Sequence, residues 1–162
     1  MRAAARLRRT EGSTLVEFAI SASILLSMLF GIMELGLLFY AYNFVSEAAR
    51  EATRWASVRG STSCTNTPSL TDCNATKAEI TAYVQGLGYP GVASSNLSVT
   101  TTYLTATTSG GTTTWSTCSS GTCNAPQNAV NVQVSYPFPL GVPFIPITSI
   151  TVASTSQMVI YQ

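Results

Sequence analysis

Two carboxylates stand where carboxylates are expensive. Glu17 and Glu34 are the only charged residues in an apolar run from Leu15 to Tyr42. An ionised side chain at the centre of such a run costs about 2.5 to 3.5 kcal/mol on insertion scales, so each is a candidate for a task. Glu17 follows Gly12 by five residues. A cut between Gly12 and Ser13 would give Ser13 a cationic amine, which Glu17 of a neighbouring copy can neutralise. The plainer reading of Glu17 is snorkelling to the headgroups, or pairing with Arg9. Glu34, near Gly31 and Gly36, either reaches the far interface or faces a partner helix across the close approach that small residues permit.

Other chemistry is sparse. Histidine is absent, which removes the usual triads and most metal sites. Beyond the long helix the only acids are Asp72 and Glu79, which read as a solvated pair. No G-x-S-x-G elbow or S-x-x-K arrangement marks a nucleophile. No catalytic group, cofactor or metal is therefore expected. The four cysteines, Cys64, Cys73, Cys118 and Cys123, all follow the apolar run and lack paired C-x-x-C spacing, so two disulfides in an oxidising compartment are the better reading. Short separations favour Cys64 with Cys73 and Cys118 with Cys123, although spacing alone leaves the connectivity open. A formal net charge of +1 offers no basic footprint for nucleic acid.

The elements that carry these residues follow from the patterning. From Phe18 to Tyr42 the run has twenty-five residues, about 37 Å of helix, enough for a hydrocarbon core and too long for an ordinary cleaved signal. Arg2, Arg6, Arg8 and Arg9 precede it, so the N-terminus stays in the cytoplasm and the C-terminal bulk is exported. Asn43 to Arg59 keeps helical spacing at Val45, Ala48 or Ala49, Ala52, and Trp55 or Ala56, predicting one helix from about Leu15 to Arg59, ended by Gly60. Thr76 and Glu79 have capping-box spacing ahead of Ile80, Val84 and Leu87. Alternation then predicts strands around Leu97 to Tyr103 and Val130 to Tyr136, with a turn at Gly110 and Gly111 and a further strand from Thr112 to Thr117. A last strand region lies between Ile147 and Tyr161, broken or bulged around Ser154 to Gln157. The apolar loop Pro137 to Pro146 reads as a hairpin crossing packed under the helix, ahead of a subunit contact.

The fold class is α+β: a long N-terminal transmembrane helix packed on a small antiparallel β-sheet. Residues 1–12 form a basic leader, 13–59 the long helix with about 15–42 in the membrane, and 60–162 an extracytoplasmic domain.

At this point the chain resembles a known family. The basic leader, Gly12, Val16-Glu17-Phe18-Ala19, Phe30-Gly31-Ile32-Met33-Glu34-Leu35-Gly36 and Ala48-Ala49-Arg50-Glu51-Ala52-Thr53-Arg54-Trp55-Ala56 look like the TadE-like family of prepilins and minor pseudopilins of tight-adherence (Flp) pili. The strong part covers about the first third. A weaker echo is Val132 to Phe138 followed by an alternating strand. The resemblance implies cleavage between Gly12 and Ser13 by a prepilin peptidase, and Glu17 as the glutamate at mature position five. Its partners would be other pilin subunits and an inner-membrane assembly platform, and its location the bacterial inner membrane, then the pilus. Glu17, Phe18 and Glu34 would serve subunit docking. Phe18, where major Flp pilins carry tyrosine, and the full exported domain favour a minor or accessory pilin, with a large pilin that itself builds the filament as the alternative. The competing expectation is a single-pass envelope binding protein that never polymerises.

Overall fold

The computed structural model describes residues 2–141 and 149–162, with side chains from Gly12 onward. One helix dominates it. Helix α1 runs unbroken from Arg2 to Ser57, 56 residues and about 84 Å. It starts earlier than the apolar pattern indicates, because residues 2–11 are rich in alanine and arginine, good helix formers, and contain no proline. It stops two residues before Arg59. There the last carbonyls turn to tertiary partners: Tyr161 N–H donates to the Ser57 carbonyl at 2.9 Å and Ala75 N–H to that of Arg59 at 2.8 Å.

Gly60 was expected to end the helix, but the helix is already over. Its role is close approach. A Cβ there would collide with the Gln162 carbonyl and the Ile160 side chain, and lie 2.6 Å from the Asn124 carbonyl. The chain end and the loop before β3 therefore pass directly over it.

After a single helical turn, α2 (Ser63–Asn66), helix α3 (Lys77–Gly86) begins at Thr76 with both halves of the capping box formed. Thr76 N–H donates to Glu79 Oε2 at 2.6 Å and Glu79 N–H to Thr76 Oγ1 at 3.3 Å. The bond from the Thr76 backbone, then that from its hydroxyl, holds the exposed Glu79 carboxyl below the usual range. Ile80 and Val84 are fully buried and Leu87 packs beside them, the face that the spacing predicts.

Four antiparallel strands follow: β1 (Ser98–Ser109), β2 (Thr112–Thr117), β3 (Ala129–Pro139) and β4 (Ser149–Val159), in spatial order β2-β1-β3-β4. Gly110 and Gly111 both have positive φ, the condition for the two-residue hairpin joining β1 to β2. β4 is continuous. Its register with β3 runs without interruption from Ala129 opposite Val159 to Pro139 opposite Ser149, so the break or bulge expected around Ser154 to Gln157 does not occur. Those polar residues fit because Ser156 faces the helix and shares a 3.0 Å hydrogen bond with buried Thr53.

Pro137, Phe138 and Pro139 also belong to a strand rather than to a loop. Pairing with β1 ends at Ser135, so this stretch has only β4 beside it, where proline is tolerated. Phe138 is buried and Leu140 packs against the core, so this part of the apolar segment does pack under the helix. Its remainder, 142–146, and the first two residues of the expected last strand region, 147 and 148, lie outside the described residues.

The core sits between α1 and the sheet. Ala41, Phe44, Val45, Ala48, Ala49, Ala52 and Ala56 meet Val130, Val132, Val134 and Tyr136. Alanines at three- and four-residue intervals bring the helix backbone close to the strands. Val99, Thr101 and Tyr103 of β1 lie opposite Val134, Val132 and Val130 and share their face. The structure is thus α+β, a long helix packed on a small antiparallel sheet.

Candidate functional site

Along α1 the two halves differ in what surrounds them. No residue from Gly12 to Tyr40 is buried, and Phe18 and Leu25 are 74 % and 69 % exposed. By length and composition this is the one described helix apolar enough to cross a membrane. Two of its serines bond to the helix itself: Ser23 Oγ donates to the Ala19 carbonyl at 2.7 Å and Ser27 Oγ to that of Ser23 at 2.8 Å. Glu17 and Glu34 are the charged groups of this stretch.

Gly12, Ser13, Glu17 and Phe18 all lie on the exposed helix with the fold far above them. Glu34 is seventeen residues on, about 26 Å along the axis and about 100° around it from Glu17, so the two acids do not form one site. Glu34 sits at the foot of the sheet. It shares the helix face of Ala41, seven residues later, and reaches the point where β3 ends. A Cβ on Gly141 would come within 2.9 Å of Glu34 Oε1, so this glycine lets the chain pass close to the carboxylate. Oε2 is buried and has no hydrogen-bond partner among the described residues. The carboxylate borders two hollows. One, of about 290 Å³, lies among Tyr40, Pro90, Tyr136 and Phe138; the other, of about 430 Å³, is apolar and lies among Met28, Ile32, Leu35, Leu140 and Ile150. The sequence marks Glu34 as costly, but the covering by its own chain depends on β3 and Gly141, which carry no signal of it.

Beyond α1 the chain is fastened by two disulfides. Cys64 bonds to Cys73 and Cys118 to Cys123, so the shorter of the possible loops are closed. Among the described residues no three histidine, cysteine, aspartate or glutamate side chains gather as a metal site. Asp72 and Glu79 are not a couple: Glu79 caps α3, and Asp72 occupies a left-handed turn position at φ 54°.

An aromatic clasp that the spacing does not reveal joins α3 to α1. Trp55 stacks on Tyr83 at 4.8 Å, the Arg59 guanidinium lies 4.3 Å from the Trp55 ring centre, and Tyr83 Oη donates to Glu51 Oε1 at 3.0 Å. Desolvation, then the bond to Glu51, pushes the Tyr83 hydroxyl above its ordinary pKa. Tyr103 Oη donates to the Ala75 carbonyl at 3.1 Å, and its burial has the same effect.

A bare apolar helix rooted in a small helix-on-sheet domain defines a protein with a membrane-capable stem. Residues 12–54, the stem and most of the packed part of α1, match the model of the TadE-like protein family, to which this stretch is similar. The match ends before the disulfides and strands, and it includes Gly12, Glu17, Phe18 and Glu34. No curated protein and no solved structure matches the chain.

Proposed function

We propose that this chain is a pilin-like subunit of a tight-adherence pilus, minor or accessory or itself filament-forming, that assembles through α1 and supports surface attachment without enzymatic activity. The observation that carries the reading is the exposed apolar stretch of α1 inside the segment that matches the TadE-like model. Before assembly, lipid surrounds that stretch; in a filament, equivalent helices do, so burial is exchanged rather than newly gained.

Processing between Gly12 and Ser13 by a prepilin peptidase fits the helix. Gly12 is its least favourable residue there, by about 1 kcal/mol relative to alanine, so the backbone opens at that point most cheaply. The released chain places its amine four residues before Glu17. Orientation follows the leader arginines: N-terminus in the cytoplasm, sheet domain and disulfides outside, the assembly platform at the inner membrane.

Mass spectrometry of the protein from its native cells should find a chain beginning at Ser13, in membranes and in sheared surface filaments. A chain beginning at Met1 or Arg2, in cells that process other prepilins, would overturn the reading in favour of a non-polymerising envelope protein. Glu17→Gln should leave the cut intact and reduce the amount in filaments.

A further inference from the structure

We propose that copies of this chain add strands to one another: β2 of one copy pairs antiparallel with the outer edge of β4 in the next, so that the sheet continues from copy to copy. The proposal deepens the pilin reading and rests on it for the common direction of the stems.

Both edges of the sheet are open and unguarded. β2 and β4 are its outermost strands, and among the described residues neither makes a backbone hydrogen bond beyond the sheet. Sheet edges are usually kept from pairing by a charge, a proline or a bulge. Here no residue after Glu79 is charged, neither strand contains proline, and both registers run without a bulge. The upper half of β4 also lies beyond the reach of residues 142–148. A link of that length with both ends at the foot of the sheet climbs about 14 Å at most, whereas Thr155 stands about 20 Å above Ser149.

β2 is short of partners as well. β1 meets β3 only as far as Leu104, opposite Ala129, and residues 105–109 have β2 alone beside them. The hairpin therefore stands about 17 Å beyond the rest of the sheet, with all six residues of β2 exposed. A two-stranded ribbon is marginal in water, and a further strand stabilises it.

Strand sense selects the partner. β4 runs in the direction of α1, since Ser156 meets Thr53 and Tyr161 meets Ser57. β3 runs against α1, β1 with it and β2 against it. Antiparallel pairing of β2 with a second β2, or of β4 with a second β4, would point the two stems in opposite directions. β2 on β4 keeps them parallel.

The backbone bonding supplies the register. Cys118 N–H donates to the Tyr103 carbonyl at 2.9 Å, so the even residues of β2 bond to β1, while Thr113, Trp115 and Thr117 aim their amide and carbonyl groups outward. Ile160 N–H donates to the Asn128 carbonyl at 2.8 Å, so Ala129 and Val159 form a pair without mutual bonds. Thr155, Gln157 and Val159 consequently aim their groups at the free edge. These six residues satisfy one another with Thr113 opposite Val159, Trp115 opposite Gln157 and Thr117 opposite Thr155. All six also lie on the face turned away from α1, because Val130 and Val132 and the positions opposite them face it. The joined sheet thus keeps both helices on one side, with the recipient shifted by about 13 Å along the strands. Such a contact is head to tail and does not close on itself, so repetition produces an open filament.

The test is cross-linking of the full chain, read in sheared filaments without reductant. Thr113→Cys with Val159→Cys in one chain should yield a ladder of disulfide-linked multimers. Within a chain the two positions are about 20 Å apart, far beyond the reach of a disulfide, whereas the proposed pairing brings them to about 5.5 Å. Chains carrying one substitution each, when mixed, should link only unlike with like-numbered partners absent: Thr113→Cys to Val159→Cys, and neither to itself. As a check without new cysteines, Thr113→Pro and Thr155→Pro each remove an outward amide and leave the bonds within the sheet intact. Each should lower recovery in filaments by about tenfold with the unfolding midpoint unchanged. Missing cross-links in filaments that contain the double variant, self-linked dimers of either single variant, or normal recovery of both proline variants would overturn the proposal. In each of those cases an N-terminus at Ser13 with wild-type chain in filaments would leave the pilin reading standing. An uncut wild-type chain absent from filaments would instead remove both.

Discussion

The two halves of α1 share one backbone and obey opposite packing rules. Between Gly12 and Tyr40 the large side chains point outward on all sides and none is buried. From Ala41 to Ser57 the buried positions are mostly alanines, with Ala48, Ala49 and Ala52 wholly inaccessible. The first half is built to be covered by something that is not this domain, lipid or another helix. The second is built to let a sheet approach closely. Large residues make a surface that many partners can fill; small ones make a surface that fits one partner.

Glycine offers the sharpest way to break that contrast. Gly60→Leu would drive a side chain into the backbone at Gln162 and Asn124, which cannot swing aside, so a loss of about 3 kcal/mol or more is expected in thermal unfolding of the full chain in detergent. Gly36→Leu meets nothing within 4 Å and should leave the midpoint nearly unchanged, within about 0.5 kcal/mol. Equal effects would mean that the stem is not independent of the domain.

A smaller effect should appear at alkaline pH. The folded state raises the Tyr103 hydroxyl above its ordinary value of 10.0, so the folded form holds that proton more tightly than the unfolded chain does. The stability it contributes is complete below about pH 10 and is lost as pH rises through the folded value. Tyr83 is shifted in the same direction, so the diagnostic is a difference. Tyr103→Phe should lose about 1 kcal/mol at neutral pH, from the bond to the Ala75 carbonyl, and should show a shallower alkaline decline than the parent. An identical decline would assign the effect elsewhere.

A further change has the opposite sign. Thr101 is buried on the core face and its hydroxyl has no partner among the described residues. Thr101→Val should stabilise the packed half by about 1 kcal/mol, measured as an upward shift of the same midpoint, and should not alter the stem.

Much of the architecture was legible because it depends on local pattern. The apolar run, the capping box at Thr76, the glycine pair at 110 and 111 and the alternation from Val130 to Tyr136 all produced the expected elements. Errors arose where a long-range partner outweighed local signals. Ser154 to Gln157 looked too polar for an unbroken strand until Thr53 supplied Ser156 with a hydrogen bond. Gly60 looked like a helix stop, whereas the chain end needs its missing side chain. Pro137 and Pro139 looked like loop residues because the pattern cannot show that β1 ends before them. At the candidate site, Glu17 and Glu34 stood out at once by their cost in an apolar run, but nothing local links Glu34 to Gly141.

By itself the sequence determined that this protein has a membrane-capable stem with two unexplained acids, followed by a domain carrying four cysteines. Those properties depend on composition and on periodicity within a few residues. Tertiary structure alone decided that Glu17 lies bare while Glu34 is half covered by the foot of its own sheet. Such relations set residues far apart in the chain against each other, and their energies come from desolvation and packing, which no local pattern records.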